Sequence, residues 1–183
     1  ITGSTGTGKT AIIDHVLDQL PELNYVVNTI NFSARTSSNK LQEVIEVDVE
    51  KKSFDTYAPL SGKQLIVFID DFNMPQKDLF GSQPPLELIR QWIDYGFWYD
   101  RQKTTKKFVK KMQLIAAMGP PGGGRTQIPQ RLQSRFNLIN VTFPSSVQLQ
   151  RIFGTLLQYR FSKLEEVKNL AANITQGTIE IYK

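Results

Sequence analysis

The chain has 183 residues, 40% of them hydrophobic and 21% charged, which is ordinary for a globular domain that can bury a core. It contains no cysteine, so disulfides and thiolate metal sites are excluded, in agreement with a reducing compartment. The formal net charge is +5, and no apolar run is long enough to predict a membrane span, so we expect no membrane partner.

The first predicted feature is a phosphate-binding loop at residues 3–10, which match G-x-x-x-x-G-K-S/T at every fixed position. The loop residues are Gly3, Ser4, Thr5, Gly6, Thr7, Gly8, Lys9 and Thr10. In such a loop backbone N–H groups and Lys9 bind phosphate oxygens, and Thr10 offers a hydroxyl to Mg²⁺. We therefore expect ATP or ADP with Mg²⁺, the alternative being a Gly/Thr-rich loop that matches by accident.

An amphipathic helix follows this loop, and a strand should precede it. Ile13, Leu17 and Leu20 lie at helical spacing, and Pro21 ends the helix. Residues 1–2 are typical of the last residues of a strand. We therefore expect the chain to be a segment of a longer polypeptide in which this strand is clipped.

Predicted strands and helices then alternate along the chain. The strands are residues 24–32, 65–69, 114–118 and 138–143, and residues 95–111 predict an inserted β-hairpin. The apolar run at 65–69 is typical of a strand buried in a parallel sheet. The fold class is therefore α/β, with a mainly parallel sheet of about five strands flanked by helices.

Five helices are predicted after the first strand. One is capped by Ser37, one begins at Pro84, and a short one spans residues 128–135. The residues on their apolar faces are Leu41, Val44, Ile45 and Val49; Leu86, Ile89, Trp92 and Ile93; Leu149, Ile152, Phe153, Leu156 and Leu157; and Leu164, Val167, Ala171 and Ile174. A Pro/Gly loop at 119–124 precedes the short helix.

Two carboxylates follow the strand at 65–69. Asp70 is expected at the carboxyl end of this strand, where α/β sheets bind ligands, and it would hold Mg²⁺ through water. Asp71 would polarise the attacking water. The alternative is that both aspartates only cap the following turn.

Much of the positive charge lies in one stretch, formed by Lys103, Lys106, Lys107, Lys110 and Lys111. Nucleic acid or an acidic partner would suit it. We favour a solvated hairpin and no nucleic acid, because the interleaved aromatic residues of a single-strand binder are missing.

Several segments resemble the AAA+ modules of dynein heavy chains, and the third module in particular. They are residues 31–34, 68–75, 83–92, 98–101 and 118–125. The most specific are Gln83-Pro84-Pro85 and the Gly-Pro-Pro-Gly-Gly-Gly-Arg run at 119–125, which is similar to axonemal dyneins of an inner-arm type. The resemblance implies a P-loop NTPase, with an AAA+ large subdomain over residues 1–183 and most of the small lid subdomain missing.

In this family six AAA+ modules of one chain form a ring, in which the first is the main motor ATPase and the third binds nucleotide and gates the first. The resemblance therefore implies a regulatory module of a minus-end-directed motor that drives ciliary or flagellar beating. The implied partners are the neighbouring modules, with intermediate chains, light chains and microtubules bound elsewhere on the heavy chain. The implied location is the cytoplasmic cytoskeleton and the ciliary axoneme.

Arg135, in Ser134-Arg135-Phe136, resembles the arginine finger that completes the nucleotide site of a neighbouring module, and Arg131 is the second candidate. The alternative is a surface arginine on a short helix.

The chain departs from common AAA+ modules at two catalytic positions. Asp71 stands where many have glutamate, and Met118-Gly119 stands where many have a polar sensor. These departures predict slow hydrolysis.

Two alternatives to a regulatory dynein module stay open. One is a subunit of a free-standing AAA+ ring, and the other is a structural ring segment that holds nucleotide without hydrolysing it.

Overall fold

The computed structural model describes residues 1–162 and 170–182, which fall into two compact units divided between Val141 and Thr142. No helix in the described ranges is long and apolar enough to cross a membrane. The elements are, in chain order, α1 (Lys9–Asp18), β1 (Tyr25–Asn31), α2 (Ser38–Glu46), β2 (Val49–Lys51), β3 (Thr56–Pro59), β4 (Gln64–Asp70), α3 (Pro84–Tyr95), β5 (Phe97–Tyr99), β6 (Lys106–Val109), β7 (Met112–Ala116), α4 (Gln130–Gln133), α5 (Ser146–Phe161) and α6 (Leu170–Tyr182).

The main sheet of the first unit is parallel, as predicted. Its strands are ordered β1-β4-β7. Beyond β7 the parallel pairing continues through single residues, because Thr2 bridges both Met118 and Asn140. Five chain segments therefore lie side by side, and the loop at 3–10 leaves the sheet immediately after Thr2.

The predicted strand at 138–143 is wrong in extent. Its pairing is confined to two hydrogen bonds, from the Thr2 N–H to the Ile139 carbonyl and from the Val141 N–H to the Thr2 carbonyl. Leu138 and Ile139 are more than half exposed, so this segment lacks the burial on both faces that stabilises β4.

The central strand β4 carries the core on both of its faces. Leu65, Val67 and Ile69 join the cluster that includes α2 and α3, whereas Ile66 and Phe68 pack with α1. All five side chains are buried, which confirms the interpretation of the 65–69 run as a doubly covered strand.

The predicted hairpin is present as the antiparallel pair β5-β6, and it belongs to a second sheet ordered β2-β3-β6-β5. Strands β2 and β3 were not predicted, because three or four residues show no alternating apolar pattern. Val49 lies in β2 rather than in the preceding helix, which ends at Glu46.

The hairpin is fastened to α2 by charged and polar contacts. The Lys107 ammonium lies 2.9 Å from a carboxylate oxygen of Glu46 and 2.9 Å from one of Asp100. Burial opposes the charge of Lys107, but these two carboxylates raise its pKa above the usual value. The Trp98 indole N–H also donates to Glu46. The positive charge of Lys107, one of the lysines in the basic stretch, is therefore balanced by carboxylates of the same unit.

Helices α2 and α3 begin as predicted. The Ser37 hydroxyl accepts from the Lys40 N–H, and Pro84 occupies the first turn of α3. Helix α4 covers only the middle four residues of the short helix predicted at 128–135.

The second unit contains the two last predicted helices. Ser145 and Gln148 form a capping box at the start of α5, and Gly154 lies against Thr175 of α6. Ala171 is buried in α6, but Leu164 and Val167 lie outside the described residues.

Candidate nucleotide-binding site

The loop at 3–10 closes around its own lysine. Gly8 has a left-handed conformation with φ of 82°, and α1 begins at the next residue. The Lys9 ammonium donates to the carbonyl oxygens of Gly3 at 2.9 Å and Ser4 at 2.7 Å. The Thr7 hydroxyl donates to the same Ser4 carbonyl at 2.9 Å. The cation is thus held beside the first turn of the helix, where the backbone dipoles also favour an anion.

Position 3 has room only for glycine, because the backbone of Val141 packs closely against it. A Cβ added to Gly3 would lie 2.3 Å from the Val141 carbonyl oxygen, which is backbone of the adjacent sheet segment. Because the Val141 N–H donates to the Thr2 carbonyl and the Thr2 N–H donates to the nearby Ile139 carbonyl, Val141 has little room to move. The first glycine of the motif therefore sets how closely the loop approaches the sheet.

Thr10 and Asp70 are brought together as predicted. The Thr10 hydroxyl donates to one Asp70 carboxylate oxygen at 2.7 Å, and the Asp71 N–H donates to the other at 2.8 Å. Asp70 ends β4, so the sheet places it beside the first turn of α1. A hydroxyl and a carboxylate oxygen fit Mg²⁺, which commonly takes one or two protein oxygens together with phosphate and water. Within residues 1–162 and 170–182 no group of three or more histidine, cysteine or acidic side chains is arranged to hold a metal ion.

Asp71 has a partner that sequence reasoning missed. Its φ is 50°, in the left-handed region, and its Oδ1 lies 3.0 Å from the Arg125 guanidinium. Arg125 is the last residue of the Gly-Pro-Pro-Gly-Gly-Gly-Arg run at 119–125, and the sequence alone predicts no role for it. The only available signal was a cation at the end of a loop that follows a strand of the parallel sheet.

These groups surround a single cleft of about 360 Å³, which is large enough for a phosphate chain. Positive charge from Lys9 and Arg125 faces negative charge from Asp70 and Asp71. The lining residues are Thr5, Gly6, Gly8, Lys9, Thr10, Ala11, Asp70, Asp71, Gly119 and Arg125.

Arg135 and Arg131 do not line this cleft. The Arg135 Nε lies 2.9 Å from Asp94 at the end of α3, and its side chain is 52% exposed. Arg131 pairs with Glu87 on the same helix, and Arg90 pairs with both acids.

Hydrogen bonds from two arginines shift the pKa of one of these acids, Glu87. Burial alone would raise the pKa of Glu87, but hydrogen bonds from Arg90 and Arg131 hold it below its usual value. The same carboxylate raises the pKa of Arg90. Both arginine-finger candidates are therefore held on α3, away from their own phosphate loop.

The parallel sheet, the glycine-rich loop opening α1 and the acid at the end of β4 define a P-loop nucleotide-binding domain of the AAA+ class. A family model described as "P-loop containing dynein motor region" matches residues 1–144. The chain belongs to this family of dynein motor regions.

Curated relatives are axonemal dynein heavy chains. Human "Dynein axonemal heavy chain 2" is 54% identical over 183 residues, covering 100% of this chain and 4% of that protein. "Dynein-1-beta heavy chain, flagellar inner arm I1 complex" of Chlamydomonas reinhardtii is 52% identical over 184 residues, covering 100% and 4%. Human "Dynein axonemal heavy chain 3" is 42% identical, covering 99% and 4%. The chain thus spans about 4% of the length of these relatives. The resemblance to dynein heavy chains is confirmed, and the third position in the ring stays a prediction.

Proposed function

We propose that this segment binds ATP or ADP with Mg²⁺ as the third AAA+ module of an axonemal dynein heavy chain, where it regulates the motor. The observation that carries the proposal is the 2.7 Å contact between Thr10 and Asp70 beside a loop closed around Lys9. This contact supports the proposal because it brings together two groups that would hold Mg²⁺ from positions sixty residues apart in the chain.

Each residue has a defined task in this proposal. The backbone N–H groups of residues 3–10 bind phosphate oxygens, and Lys9 compensates their charge. Thr10 and Asp70 hold Mg²⁺, which neutralises charge on the phosphates when it is bound. Asp71 orients water, while Arg135 serves the site of a neighbouring module.

The names of the relatives support the wider setting. A minus-end-directed microtubule motor of the ciliary axoneme, within the cytoplasmic cytoskeleton, would drive ciliary or flagellar beating. The direct partners of this segment would be neighbouring AAA+ modules of the same chain. Intermediate chains, light chains and microtubules would bind other parts of the heavy chain.

Photolabelling tests the proposal at this particular module. The intact heavy chain is exposed to 8-azido-ATP with Mg²⁺, digested, and searched for labelled peptides from residues 1–141. We expect labelling that excess ATP prevents. Label confined to other modules would contradict nucleotide binding here.

The contact between Asp71 and Arg125 favours a second candidate, a ring segment that holds nucleotide without hydrolysing it. A carboxylate paired with a guanidinium at 3.0 Å is poorly placed to accept a proton from water. Single-turnover hydrolysis in the intact ring distinguishes the two functions, because only the regulatory ATPase converts bound ATP to ADP.

Lengthening the second acid should not impair this module. Asp71→Glu extends the carboxylate by one methylene toward the attacking water, so turnover at this site should rise or stay unchanged. Turnover is measured as the single-turnover hydrolysis that Lys9→Ala abolishes, with Asp94→Glu as a control on α3. A large loss in Asp71→Glu alone would show that aspartate is already well placed.

Removing the proposed arginine finger should change the control of the motor ATPase without changing nucleotide binding at this module. Arg135→Ala should leave nucleotide affinity at this module nearly unchanged, because Arg135 lies outside the cleft, and should weaken its control of the motor ATPase. Asp94 keeps its pair with Arg90, so loss of Arg135 leaves no unpaired carboxylate. Arg131→Ala tests the second candidate in the same way, and Arg151→Ala, at an exposed arginine of α5, is the matched control. Loss of local affinity with unchanged coupling would defeat the assignment.

A further inference from the structure

Arg125 lines the nucleotide cleft, but only some of its N–H groups have a hydrogen-bond partner there. Its Nη2 lies 3.0 Å from Asp71, and its Nε is buried without a hydrogen-bond partner among the described residues. A guanidinium has five N–H donors arranged in a planar fork, so this single contact leaves donors for a second anion.

The Arg125 side chain lies close to the backbone of Gly119. A Cβ added to Gly119 would lie 3.0 Å from the Arg125 Nε and 3.1 Å from its Cδ. A side chain at position 119 would therefore crowd Arg125 and make it shift by a few tenths of an ångström. The sequence offers no polar group at Met118-Gly119, and the structure puts a cation there from six residues further along the chain.

Both ends of the loop that carries Arg125 are tied to Asn73, which is 1% exposed and lies two residues after Asp71. The Asn73 amide donates to the Gly119 carbonyl at 2.9 Å, and its backbone carbonyl accepts from the Thr126 N–H at 2.9 Å. Backbone hydrogen bonds in both directions between Gly122 and Arg125 close the turn. Arg125 is thus pre-positioned against Asp71, so little entropy is lost when it binds.

Charge decides what this cation can recognise. Asp70 and Asp71 balance Lys9 and Arg125, so a phosphate chain competes with Asp71 for the guanidinium. A triphosphate carries one more phosphate group and more negative charge than a diphosphate. Arginine binds phosphate oxygens with charge-assisted hydrogen bonds that are stronger than those between neutral groups.

We propose that Arg125 is a specificity-determining residue, which favours nucleoside triphosphate over diphosphate by transferring its guanidinium from Asp71 to the terminal phosphate. The proposal rests on the proposed nucleotide function of the cleft. The transfer also gives the Asp71–Arg125 pair a role. The Asp71 carboxylate becomes free to orient water only after the triphosphate has bound Arg125.

Equilibrium binding to the intact heavy chain tests this inference, with a labelled non-hydrolysable ATP analogue and labelled ADP. Binding at this module is taken as the portion that Lys9→Ala removes. Arg125→Gln should weaken the ATP analogue by about tenfold, the equivalent of one charged hydrogen bond, and ADP by less than about twofold. Arg125→Lys should recover part of the preference, because it keeps the charge and loses the fork.

A second route leaves the arginine in the sequence. Gly119→Ala should make the Arg125 side chain shift and give a smaller loss with the same selectivity. Arg151→Gln, at an exposed arginine of α5, should change neither affinity. Equal losses for both nucleotides, or no loss for either, would overturn the role of Arg125. If Lys9→Ala removes no binding at all, the proposed nucleotide function fails instead.

Discussion

Replacing Lys9 with alanine should lower nucleotide affinity at this module by about a hundredfold. Lys9 is the cation enclosed by the loop, and its ammonium is already 2.7 Å from the Ser4 carbonyl and 2.9 Å from the Gly3 carbonyl. Two charge-assisted hydrogen bonds to phosphate are worth about 3 kcal/mol, which corresponds to about a hundredfold in Kd. The same substitution removes the ammonium that bridges the Gly3 and Ser4 carbonyls.

The measurement is the number of nucleotides retained per intact heavy chain at low free nucleotide, compared between wild type and variant. Lys40→Ala is the matched control, because Lys40 is an exposed lysine on α2, outside the cleft lining. We expect one nucleotide fewer in Lys9→Ala and no change in Lys40→Ala. Equal retention by all three proteins would contradict the binding role of the loop.

Gly3→Ala should disrupt the site without touching a charged group. The added Cβ would meet the Val141 carbonyl oxygen at 2.3 Å, and backbone cannot turn away as a flexible side chain can. Overpacking of this kind costs about 1–3 kcal/mol. We expect the pairing of Thr2 with Ile139 and Val141 to loosen, and nucleotide affinity to fall with it.

Hydrogen–deuterium exchange on the intact heavy chain reports this loosening, in peptides that cover residues 1–18 and 138–142. Gly177→Ala is the matched control, because Gly177 lies in α6 and nothing stands within 4 Å of an added Cβ. Alanine there should slow exchange in α6, since it is the better helix former. Unchanged exchange and unchanged affinity in Gly3→Ala would show that the loop tolerates the methyl group.

The features that sequence could predict are those set by local pattern. The phosphate loop is a fixed string of residues, and the run at 65–69 is apolar throughout because β4 is covered on both faces. Its position at the centre of a parallel sheet then puts Asp70 beside Thr10, since the carboxyl ends of parallel strands share one edge.

The features that escaped prediction depend on contacts between distant segments. Strands β2 and β3 form because they pair with each other and with the hairpin, and their short sequences carry no period of their own. The ion pair between Arg125 and Asp71 depends on the conformation of the glycine-rich turn that ends at Arg125. The pairing of Arg135 with Asp94 likewise depends on how the segment after α4 returns to α3.

A cryo-EM map of the intact heavy chain with Mg²⁺ and a non-hydrolysable ATP analogue tests the nucleotide site most directly. The result we predict is phosphate density contacted by the backbone N–H groups of residues 3–10 and by Lys9, with a Mg²⁺ ion between Thr10 and Asp70. The contradicting result is a map in which other modules hold the analogue at saturation, while Lys9 remains on the Gly3 and Ser4 carbonyls and Thr10 remains hydrogen-bonded to Asp70.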